Sequence, residues 1–131
     1  MKTGTVVVDR SSHESRKKSV EYAREILRMG ISMLIFAEGT QNRTQELLQP
    51  FKDGAFRLAI DTNTPIMPIV VIGAGKLMPP GKLDLKPGKI KVIAGEEISV
   101  EGMGLKDVTA LKQTSFNAMK EMLLKDEQHK Y

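Results

Sequence analysis

The chain has 131 residues, 40% of them hydrophobic and 27% charged, a balance that suits one folded domain and excludes disorder along its whole length. Its net charge of +4 favours anionic partners without choosing among phosphates, nucleic acid and acidic membrane surfaces. There is no cysteine, so disulfide frameworks, thiolate nucleophiles and Cys-ligated zinc are excluded, and no apolar run approaches the roughly 20 residues that cross a bilayer.

Thr5-Val6-Val7-Val8, β-branched throughout, predicts a first strand that ends at Asp9-Arg10. Ser11, Ser12 and Ser15 offer capping side chains, and Val20, Ala23, Ile26 and Leu27 then recur at helical spacing until Gly30 supplies a stop. Ser32-Met33-Leu34-Ile35-Phe36 is too short for a helix and almost wholly apolar, which predicts a strand buried on both faces. Strand, helix and strand in this order make a βαβ unit, whose right-handed crossover would bring Arg10 and Glu38 to the same sheet edge. A site is expected there, because Phe36-Ala37-Glu38-Gly39-Thr40-Gln41-Asn42-Arg43 gathers polar groups and a glycine at a strand's carboxyl end.

Phe51-Lys52-Asp53-Gly54 leads into a short helix with Ala55, Leu58 and Ala59 on its inner face, and Asp61-Thr62-Asn63 turns the chain. A third strand is expected at residues 69–72, with Pro68 at an edge, a bulge or the first paired position, since proline cannot donate to a ladder. Residues 73–88 read as a loop rich in Gly, Pro and Lys, and residues 89–93 as a strand with one wet face. The spacing of Val108, Leu111, Ser115, Met119 and Met122 predicts a helix over residues 107–124, followed by a frayed tail over residues 125–131. The whole is expected to be a single α/β domain over residues 1–131, with a mostly parallel or mixed sheet and flanking helices.

Three landmarks in order, the strand ending in Arg10, then Phe36-Ala37-Glu38-Gly39-Thr40, then Pro65-Ile66-Met67-Pro68-Ile69, resemble the second, third and fourth sequence blocks of the glycerolipid acyltransferases. The likeness is to the 1-acyl-glycerol-3-phosphate acyltransferases, runs from about Gly4 to Ile72, and includes Phe51-Lys52-Asp53-Gly54-Ala55-Phe56 between the last two blocks. It implies a truncated glycerol-3-phosphate acyltransferase-like fold, the C-terminal part of an acyltransferase domain. It also implies transfer of an acyl group from coenzyme A or acyl carrier protein to lysophosphatidic acid, giving phosphatidic acid without a cofactor or metal. The expected setting is cytoplasmic and peripheral to a membrane surface, with no nucleic acid as partner.

The third block departs from the family pattern, with Ala37 in place of a proline and Gln41 in place of an arginine, and Arg43 stands two residues further on. The family's first block, Asn-His with Asp after four intervening residues, has no match: the histidines are His13 and His129, and the position that would need Asp is Lys18. No catalytic residue is therefore assigned. An alcohol is a poor nucleophile at neutral pH, and a positioned His contributes about 10²- to 10⁴-fold as its base. The expected substrate-binding residues are Arg10 for the phosphate, Glu38 to order the turn, Gly39 and Thr40 as backbone donors to an anion or oxyanion, and Arg43 and Lys52 as further cations. The alternative is a non-catalytic anion or lipid-phosphate binding module using Arg10, Lys52, Lys76, Lys82, Lys86 and Lys89. Loss of a covering element would leave apolar surface and a tendency to form homo-oligomers.

Overall fold

The computed structural model describes residues 13–39, 47–73 and 88–128. Helix α1 spans His13–Arg28 and carries Glu14 in its first turn and Arg28 in its last, each matched to the helix dipole. It stops at Gly30, whose φ of 81° is a conformation that glycine adopts without steric cost. Its inner face holds the buried Ala23. Arg24 reaches from this helix to Asp61, and also to Glu21 one turn back. These two hydrogen bonds, Glu21 first, raise the Arg24 pKa above its ordinary value.

Helix α2, Gly54–Asp61, buries Phe56, Leu58 and Ala59. The turn expected after it is present: Asn63 takes a left-handed φ of 51°, and Thr62 N–H and Oγ1 both donate to the Leu58 carbonyl. Strands β1, Ile69–Ile72, and β2, Lys91–Ala94, pair antiparallel with Val70 opposite Ile93 and Val71 opposite Val92. Pro68 sits where the ladder starts, lending its carbonyl to the Gly95 N–H at 2.8 Å, and a separate bridge joins Ile66 to Ile98. Gly73 closes β1 with a φ of 93°, and a Cβ placed there would lie 2.7 Å from the Lys89 carbonyl oxygen.

Helix α3, Val108–Gln128, follows a single 3-10 turn, Leu105–Asp107. That turn is closed reciprocally: Gly104 N–H donates to Asp107 Oδ2 at 2.8 Å, and Asp107 N–H donates to the Gly104 carbonyl at 2.9 Å. Val108, Leu111 and Ser115 are buried along one stripe of α3 at helical spacing. The core is Phe51, Phe56, Ala59, Val100, Val108 and Leu111. Phe51 stacks on Phe56 with centroids 6.0 Å apart and meets the edge of Phe116 at 5.1 Å. Each such pair adds about 0.5–1.5 kcal/mol beyond the area it buries.

The α/β class holds, with two differences from the sequence reading. Residues 32–36 were expected as a strand buried on both faces, yet they form no ladder among the described residues, and Leu34 and Phe36 are 72% and 76% exposed. Burial on both faces needs a paired neighbour and covering layers, and the expected neighbour, residues 5–8, lies outside the described residues. The described ladder is antiparallel, which a mixed sheet accommodates, and the expected parallel pair involves those same outside residues. Finally, residues 125–128 continue α3 where a frayed tail was expected, because Lys91 Nζ pairs with the nearly buried Asp126 carboxylate at 2.8 Å and holds the last turns to β2.

Candidate functional site

The chain leaves the extended residues 31–36 through a tight turn in which Gly39 takes a φ of 76° and donates its N–H to the Phe36 carbonyl at 2.9 Å. That amide is engaged in shaping the turn. Glu38 Oε2 accepts the N–H of Gln49, eleven residues on, at 2.9 Å, and the Ala37 carbonyl accepts the Lys52 N–H at 2.8 Å. Two hydrogen bonds therefore join the same two stretches of chain. Ala37 and Leu48, one on each side, pack against the core and root the arrangement in it.

Lys52 stands between two fixed neighbours. Phe51 is buried in the aromatic cluster, and Asp53 Oδ1 accepts a hydrogen bond from Lys112 Nζ of α3 at 2.7 Å. The Lys112 hydrogen bond and charge hold the Asp53 carboxyl below the usual carboxylate range, with Arg57 adding a smaller attraction. The Lys52 side chain itself is exposed, so its backbone is anchored while its ammonium faces solvent. The Glu38–Gly39 turn and Lys52 are thus brought together by one side-chain and one backbone hydrogen bond.

Arg10, Thr40 and Arg43 lie outside the described residues, as do Lys76, Lys82 and Lys86; Lys89 is described and exposed. His13 begins α1. Among the described residues no group of His, Asp and Glu is arranged to hold a metal ion. Sequence reasoning missed Gln49 and Ala37 because they take part through backbone N–H and C=O groups, which leave no mark in residue identity. The Asp53–Lys112 pair joins positions far apart in the chain, and charge alone did not reveal it.

A protein-family profile described as Acyltransferase matches residues 1–72, more than half of the chain. The chain belongs to the acyltransferase family. It is 35% identical over 92 residues to a 1-acyl-sn-glycerol-3-phosphate acyltransferase of Chlamydomonas reinhardtii, covering 70% of this chain and 27% of that protein. A putative 1-acyl-sn-glycerol-3-phosphate acyltransferase of Caenorhabditis elegans is 30% identical over 132 residues, covering 96% of this chain and 46% of the relative. The crystal structure of the 1-acyl-sn-glycerophosphate acyltransferase PlsC from Thermotoga maritima superposes with a TM-score of 0.75 at 22% identity, covering 88% of this chain and 46% of that one. The shared fold is thus seen across most of the chain, and the chain spans less than half the length of these relatives.

Proposed function

We propose that residues 1–131 form a single domain, the acceptor-holding part of a 1-acyl-sn-glycerol-3-phosphate acyltransferase of phospholipid synthesis. The reaction of the whole enzyme moves an acyl group from coenzyme A or acyl carrier protein to the hydroxyl of lysophosphatidic acid, and phosphatidic acid is the product. The carrying observation is the family match over residues 1–72, which includes Arg10, the Glu38–Gly39–Thr40 turn and Lys52. In this reading Arg10 pairs with the acceptor phosphate, Arg43 and Lys52 add positive charge, and Glu38, Gly39 and Thr40 shape the loop that faces it. Work on such an acceptor takes place at a membrane surface, on the cytoplasmic side. Among the described residues no helix is long and apolar enough to cross a membrane.

The sequence holds no His followed by Asp after four intervening residues, so the base for the acceptor hydroxyl has no candidate in it. The same absence supports the second reading, a lipid-phosphate binding module without turnover. Purified residues 1–131 are expected to bind vesicles carrying lysophosphatidic acid more tightly than neutral vesicles, and to transfer no acyl group from acyl-CoA. Arg10→Ala with Lys52→Ala should weaken the preference by at least about tenfold, the effect of losing one or more charge-assisted hydrogen bonds. Equal flotation on neutral and lysophosphatidate vesicles would sink both readings. Turnover by residues 1–131 alone would leave the enzyme reading standing and remove the claim of inactivity.

A further inference from the structure

The Glu38 side chain presents a puzzle of charge, since a carboxylate within a turn proposed to face a phosphate would repel it. The geometry resolves it. Glu38 Oε2 accepts the Gln49 N–H at 2.9 Å, in a half-buried position, and the adjacent Ala37 carbonyl accepts the Lys52 N–H at 2.8 Å. Residues 37–38 and 49–52 are thereby laced together by one side-chain bond and one backbone bond. Ala37 and Leu48 seat the two laced stretches against the core.

We propose that Glu38 is a positioning residue, a clamp that fixes the Gln49–Lys52 stretch to the Glu38–Gly39 turn. Its Oε2 is committed to a backbone amide, and its role is to place the neighbouring stretch rather than to bind the ligand. Lys52 is the residue that benefits: its N–H is tied to Ala37 while its exposed ammonium stays available, so the clamp sets where that charge stands relative to the turn. The role rests on the proposed function only for the identity of the ligand, a lysophosphatidate headgroup. The clamp itself is a property of the free chain.

A clamp needs an oxygen acceptor of the right length and not a net charge, so glutamine should replace glutamate where alanine cannot. The test uses the full chain with Glu38→Gln and Glu38→Ala, reading amide hydrogen exchange of peptides containing Gln49 and, separately, affinity for lysophosphatidate vesicles. Glu38→Ala should speed exchange at Gln49 and weaken binding, each by about tenfold, as expected for one lost hydrogen bond to a charged group, and Glu38→Gln should stay within about threefold in both. Peptides from α2 and α3 serve as the check that each variant is folded. Should Glu38→Ala not fold, Glu38→Gln decides alone: retained protection and affinity support the clamp, and loss of either overturns it.

Unchanged exchange at Gln49 in folded Glu38→Ala would also overturn it. So would a Glu38→Gln variant that binds as poorly as Glu38→Ala, since the charge itself would then be acting. If the wild-type chain ignores lysophosphatidate, the proposed function fails while the exchange readout still decides the clamp.

Discussion

At the scale of single residues, Ser115 is the clearest misfit. It is 2% exposed on the buried stripe of α3, and its hydroxyl has no hydrogen-bond partner among the described residues. A buried polar group left unpaired costs about 1–3 kcal/mol, whereas a methyl group in the same place costs nothing of that kind. Ser115→Ala should therefore raise stability, by about 1 kcal/mol in urea denaturation, and a drop of similar size would show that the hydroxyl has a partner when the chain is in solution. Spacing alone placed Ser115 on the inner face. What the sequence could not carry was that Phe116 rather than Ser115 makes the aromatic contact beside it, since that depends on how α3 is rotated against Phe51. Glu38 illustrates the same divide: its position at the end of an apolar run was legible, and its choice of the Gln49 amide was not.

Elements were legible where local chemistry settles them. Helix α1 stops at its glycine, α2 ends at the expected turn, and β1 occupies the four residues after Pro68. For residues 32–36 the expected burial is not seen at Leu34 and Phe36, because an apolar run reports what it would bury and not what covers it, and the expected strand partner lies outside the described residues. Contacts between elements likewise depend on the assembled fold. Asp53 and Lys112 join the start of α2 to α3, and the depressed Asp53 pKa gives that joint a sign in pH. A carboxyl whose pKa is lower in the folded state contributes stability above its unfolded value of about 3.9, and that contribution disappears as pH falls through the folded value. Part of the acid sensitivity below about pH 4 should accordingly vanish in Asp53→Asn, measured as a shallower fall in melting temperature with pH. The effect will be small because the pair is partly open to solvent. An unchanged acid limb would show that other carboxylates govern it.

On the scale of the whole molecule, apolar surface is the main consequence of how the elements are arranged. Val71 and Val92 face each other across the ladder and are 49% and 63% exposed, while their neighbour Val70 is buried. Met29, Leu34 and Phe36 are exposed as well, and the extended residues before the Glu38 turn present a further apolar run. Burial of such surface is worth about 25 cal/mol per Å², so copies of the chain gain by covering one another. Light scattering should show an average mass that rises with concentration, and Leu34→Ser with Phe36→Ser should lower it at a given concentration. A constant monomer mass over a hundredfold range would refute this, with about 25 cal/mol per Å² left unspent at that surface.

The close approach of Gly73 to the Lys89 carbonyl has a practical use. It pinches together the two points where the chain departs from β1 and returns toward β2, next to the last ladder pair, Ile72 with Lys91. An insertion between residues 73 and 88 is therefore expected to leave Val70 paired with Ile93, and amide exchange of peptides from β1 and β2 would report it.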